Sequence, residues 1–109
     1  MTYDHELTLI RREYPLDEYG LPQTDEDGNQ IVTEIETVIL CGLKSVGRTE
    51  FYNAAATGLK PELVFIVHGY EYSGESAIEF AGNRYRVIRT YAPDFEEMEL
   101  TCEKVIADG

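Results

Sequence analysis

The chain contains no tryptophan, and only two cysteines, two histidines and four prolines among its 109 residues. Two cysteines do not make a disulfide framework. Neither Cys41 nor Cys102 belongs to a Cys-x-x-Cys or Cys/His cluster that would hold zinc. Each lies in a segment of alternating apolar residues, so both read as free buried thiols acting as small hydrophobes, which fits a cytoplasmic setting. Basic side chains are scarce: nine Lys and Arg stand against 21 Asp and Glu, for a formal net charge of −12. That deficit excludes a simple nucleic-acid binder, because phosphate binding wants clustered cations. It leaves open a protein that must repel nucleic acid and one that must imitate it. No apolar run approaches the ~20 residues of a membrane helix, and the first residues lack a basic-then-apolar leader, so no membrane association is expected.

What is present suffices for one small domain over residues 1–109, with 43% hydrophobic residues to build its core. Eight tyrosines suit strands half-buried with the hydroxyl at the wet end. Glu6–Ile10 reads as a first strand. Residues 11–30 carry Pro15, Gly20, Pro22 and Gly28 among six acids from Glu13 to Asp27. They show no stable period and predict a long acidic loop or irregular hairpin tip, of the kind that tends to be functional or mobile. From Ile31 to Leu43 the alternation is clean, with Ile35, Ile39 and Cys41 on one face and Val32, Val38 and Leu40 on the other. The second face turns apolar at Val38, so that end is expected to be covered on both sides.

One helix is predicted over about 46–57, capped by Ser45, presenting Phe51, Ala54 and Ala55 on one face and stopped by Gly58 and Pro61. Leu63–Val67 is apolar at every position and predicts a central strand buried on both faces. Ala77–Phe80 and Tyr85–Thr90 flank a tight turn in which Gly82 and Asn83 tolerate positive φ. Met98, Leu100 and Cys102 alternate with acids in a last strand. No internal repeat is seen. The fold class is therefore mainly β: a small antiparallel barrel or sandwich of about six strands with one short α-helix and the long acidic loop.

Catalytic chemistry is poorly supplied, and the chain reads as a non-enzyme. His5 and His68 are the only histidines, and no serine sits in a Gly-x-Ser-x-Gly elbow. Asp25-Glu-Asp-Gly-Asn29 lacks the acid spacing of a calcium loop and reads as a turn. Asp94, Glu96, Glu97 and Glu99 form a second acidic cluster, which reads as a solvated tip paired across the sheet by Arg84, Arg86 and Arg89. No metal or cofactor is expected.

The order of segments carries more than any single motif. The Asp-Glu-Asp-Gly-Asn turn at 25–29 leads into a long strand. Gly47-Arg48-Thr49-Glu50-Phe51 then opens an Ala-rich helix, and a buried strand follows. Phe80-Ala-Gly-Asn-Arg-Tyr-Arg-Val-Ile88 and Met98-Glu-Leu-Thr-Cys-Glu103 complete the series. From about residue 4 to 106 this order resembles the head-closure, or head–tail joining, proteins of tailed bacteriophages (connectors or stoppers). The resemblance implies a structural virion protein, without enzymatic activity or cofactor, assembled in the host bacterial cytoplasm. It would form a homo-oligomeric ring of twelve or six copies in the neck, with the adaptor and portal above and tail-terminator or tail proteins below. Double-stranded DNA would pass through the lumen without specific binding.

On this reading the loop residues Asp17, Glu18, Tyr19, Asp25, Glu26 and Asp27 face the channel or a partner, and Arg48, Tyr52, Asn53, Tyr70 and Tyr72 are candidates for the subunit interface. The alternative that draws on the same charge is an acidic DNA mimic that inhibits a nucleic-acid-binding protein.

Overall fold

A computed structural model describes residues 3–106 of the chain. Six strands and one helix follow in the order β1 (His5–Glu13), β2 (Thr33–Lys44), α1 (Arg48–Ala55), β3 (Pro61–His68), β4 (Ala77–Phe80), β5 (Asn83–Tyr91) and β6 (Glu97–Lys104). The sheet closes on itself as an antiparallel barrel of order β1-β2-β3-β6-β5-β4, with β4 returning to β1. Closure gives every strand two neighbours, although over Thr33–Cys41 β2 pairs with β1 alone.

Alternation decides which side chains fill the barrel. Leu7 and Leu9, Ile39 and Cys41, Phe65 and Val67, Ile78, Tyr85, Leu100 and Cys102 meet in one core. Phe65 sits among aromatics, its ring 5.1 Å from that of Phe80 and 5.6 Å from that of Tyr85, both edge-on. On β3 the outward residues Val64 and Ile66 are buried as well, as a strand apolar on both faces requires. The expectation for Val38 and Leu40 does not hold. They are 63% and 51% exposed, because β3 pairs with β2 only at Gly42–Lys44 and nothing packs over the strand before it.

The helix is shorter than expected and is held differently. It starts after Gly47 with no side-chain cap, in place of Ser45, and buries no residue completely. Phe51 is 42% exposed, so the apolar face anticipated at Phe51, Ala54 and Ala55 is not its anchor. Instead Oε1 of Glu50 accepts hydrogen bonds from Arg89 Nη1 at 3.2 Å on β5 and Thr101 Oγ1 at 3.1 Å on β6. Leu59 N–H donates to Ala54 O and Gly58 N–H to Ala55 O, so the helix ends in a Schellman motif.

The β4–β5 turn places its two positive φ values at Ala81 (50°) and Gly82 (79°), one residue earlier than expected, because Phe80 pairs with Asn83. A two-residue turn of this handedness matches the twist of the hairpin but costs an alanine about 1 kcal/mol in the left-handed region. Replacing Ala81 with Asn is expected to raise stability by about 0.5–1 kcal/mol, read as a higher denaturant midpoint at unchanged slope. A lower midpoint would show that the turn is not strained.

The basic residues of β5 do pair, but with other acids than the Asp94–Glu99 cluster. Arg84 meets Glu34, Arg86 meets Glu103 and Arg89 meets Glu50, while Glu99 is taken by Lys44. Arg86 and Glu103 are direct register partners across β5 and β6, and the register shifts between Val87 and Arg89. In that turn Asp94 Oδ1 accepts from the backbone N–H groups of Glu96 and Glu97, which makes the segment an Asx turn.

Candidate functional site

The first hairpin is far longer than its place in the barrel needs. β4 holds β1 only at Thr8–Ile10, and β3 holds β2 only at Gly42–Lys44. Beyond these contacts Arg11–Glu13 pair only with β2, and their partners Thr33–Ile35 pair only with β1. The hairpin therefore extends past the barrel as a two-stranded arm. Its effect on shape is measurable: the radius of gyration is 16.3 Å and the longest axis 48 Å. A compact chain of this length has a radius of gyration of about 13 Å. At the arm's base the Glu34 carboxylate meets both Arg12, at 3.5 Å, and Arg84 of β5, at 3.2 Å.

The segment at the arm's end is long, acidic and exposed, as its composition predicts, but it is ordered. Leu16 bridges Pro22 and Thr24 bridges Gln30, so the chain makes a small three-stranded meander. Its two turns are copies of each other, Asp17-Glu-Tyr-Gly-Leu21 and Asp25-Glu-Asp-Gly-Asn29. In each, the Gly N–H donates to the carbonyl of the first Asp, and that Asp's N–H donates to the carbonyl of the fifth residue. In each, the Asp Oδ1 accepts from the backbone N–H groups of the third and fifth residues, all four contacts at 2.9 Å. This is a type I turn followed by a glycine bulge, and Gly20 and Gly28 supply the φ of 78° and 84° that it demands. The Asp-Glu-x-Gly-x repeat was thus readable in the sequence at a spacing too short for an ordinary search for repeats.

The two copies differ in what they leave over. The first presents Tyr19, 79% exposed, flanked by Leu16 and Leu21 at 58% and 61%. The second presents Glu26 and Asp27, both exposed. With Asp17 and Asp25 turned onto backbone amides, Glu18, Glu26 and Asp27 are the carboxylates free to meet another molecule. An apolar lobe and an acidic lobe therefore stand side by side at the tip.

At the other end of β2 lies α1, and between it and the start of β3 and end of β6 runs an open groove of about 700 Å³. Its apolar side is built by Phe51, Ala55, Pro61 and Ile106, and Lys60 and Lys104 stand along it. Six of the nine cations of the chain are engaged by carboxylates. Arg48, Lys60 and Lys104 form no ion pair among the described residues, and all three lie on or beside this end of the barrel.

The expected interface residues do not form one patch. Arg48, Tyr52 and Asn53 are exposed on α1, and Asn53 also lines a small cavity of about 280 Å³ beside Glu50 and Arg89. Tyr70 is 81% exposed in the turn after β3 and stacks 5.4 Å from His68, whose other neighbour is Tyr3 at 4.1 Å. Tyr72 packs on the core and donates its hydroxyl to Glu75 O at 2.7 Å. Among the described residues no three His, Cys, Asp or Glu side chains gather to hold a metal ion. Among them, too, no helix is long and apolar enough to cross a membrane.

Both thiols lie inside the barrel, and burial pushes Cys41 up to about 11 and Cys102 up to about 12. A thiol whose folded pKa is raised favours the fold while protonated. Its contribution is intact below the unfolded pKa near 9 and is lost as pH climbs toward 11–12. At pH 10 the two thiols together are expected to remove about 3 kcal/mol of stability relative to pH 8. Denaturant midpoints across that range check it, and a Cys41→Ala/Cys102→Ala variant should show a shallower fall.

Compared with protein-family models and with curated proteins, the chain matches none.

Proposed function

We propose that this chain is a structural subunit of the tailed-phage neck, a head-closure protein that assembles as a ring below the portal and adaptor. There it helps to retain packaged DNA and offers the tail its docking surface. The order of segments led to this reading, and the arm is the observation that carries it. A closed barrel satisfies its own strands. An ordered arm that leaves Tyr19, Leu16 and Leu21 in solvent has its use outside the molecule.

Charge supports the same role. A net −12 on a subunit around a DNA channel removes the counterion-release gain that would grip the duplex, so DNA slides. A DNA mimic is served less well. It needs an uninterrupted row of free carboxylates, whereas Glu34, Glu50, Glu99 and Glu103 are each held by a basic side chain.

Electron microscopy of particles assembled without this chain tests the proposal. Heads that fill, lose their DNA and carry no tails are the expected result. Normal tailed particles would overturn it.

A further inference from the structure

We propose that the arm of one copy docks in the groove of the next, so that the chain assembles head to tail through its own two ends. The proposal deepens the neck reading and rests on it for the purpose of the ring. The contact itself is tested on the purified chain, so either can fail alone.

The two surfaces match in kind. The tip offers an apolar lobe, Leu16, Tyr19 and Leu21, beside the free acids Glu18, Glu26 and Asp27. The groove offers an apolar side, Phe51, Pro61 and Ile106, beside Lys60 and Lys104. Glu62 and Glu103 also line it, but Glu103 is taken by Arg86, so the groove keeps a net positive balance on a molecule of net −12. No other region keeps cations free of internal partners among the described residues.

Position decides that the partner is another copy. The arm leaves β2 at Thr33, and the helix and groove lie beyond Lys44 at its opposite end. The 12 residues of β2, at about 3.3 Å each, separate them, so one molecule cannot satisfy both. Two different complementary surfaces on one chain give a heterologous contact, which closes as a ring when its rotation allows. Apolar residues beside the charges supply the burial, while the charges set register and speed the encounter.

Sedimentation velocity over a concentration series tests the contact. The wild-type chain should associate beyond a dimer, and less so at high salt. Glu18→Lys/Glu26→Lys/Asp27→Lys, which spares the turn-holding Asp17 and Asp25, should weaken association at least about tenfold, and Lys60→Glu/Lys104→Glu should do the same. The two sets combined in one chain should regain most of it. Circular dichroism melting profiles matching wild type show that the variants fold.

Glu26→Cys with Lys60→Cys gives a second measurement, since the buried Cys41 and Cys102 do not compete for oxidant. Oxidation should produce a ladder of disulfide-linked multimers, and each single-cysteine variant no more than a dimer. A monomeric wild-type chain, reversals without effect, a combined variant no better than its parts, or the absence of a ladder would each overturn the proposal.

Discussion

Phe65→Ala is expected to cost about 4 kcal/mol, enough to bring a domain of ordinary stability close to unfolding. Phe65 is fully buried on the one strand sealed on both faces. Its ring touches the β4 and β5 sides of the barrel through Phe80 and Tyr85. The cost has two parts: the transfer energy of the lost ring and the cavity that remains. The barrel collapses poorly around a void at Phe65, because β3 is fixed by β2 on one side and β6 on the other. The denaturant midpoint should fall with little change in slope, and Phe51→Ala provides the contrast. Phe51 is 42% exposed in the groove, so its loss should change stability by less than about 1 kcal/mol. Equal effects at the two positions would mean that the core is not where the barrel places it.

The barrel was legible because period-two alternation survives where one face is buried. Leu7 and Leu9, Ile39 and Cys41, and Leu100 and Cys102 all point inward as alternation requires. The all-apolar run from Leu63 to Val67 announced the strand covered on both faces. Alternation failed at Val38 and Leu40, which carry a core-like pattern and lie in solvent. A sequence pattern states that a face is to be covered and does not say by which molecule. The helix misled for a related reason. Phe51, Ala54 and Ala55 have amphipathic spacing, but the contacts that hold the helix are polar, through Glu50. Arg84 and Arg89 pair with Glu34 on β2 and Glu50 on α1, contacts far apart in sequence that no composition rule reveals.

In the arm the missing signal was local chemistry. Without a hydrophobic period the segment reads as a long loop or an irregular hairpin tip, and it is the second: two Asx-capped glycine-bulge turns order it through backbone hydrogen bonds and the carboxylates of Asp17 and Asp25. Such order costs the chain entropy that exposed side chains do not offset, so its persistence argues for a use elsewhere.

Replacing residues 14–32 with a short Asn-Gly turn separates that use from folding. The barrel should keep its stability to within about 1 kcal/mol. The arm lends the core no side chain, and shortening a loop recovers a little closure entropy. Arg12 and Arg84 keep their meeting with Glu34, so the base of the hairpin stays pinned. Assembly should be lost entirely, in contrast to the partial loss from reversing charges, because the apolar lobe leaves together with the acids. Light scattering of the shortened chain should report a monomer at every concentration where the full chain associates. Six of the 21 acids lie between Glu13 and Asp27, and five of them leave with the segment. A decrease in repulsion alone would promote association of an acidic protein. Loss of assembly in spite of a smaller net charge therefore isolates the arm as a specific contact, and stronger association after its removal would refute that role.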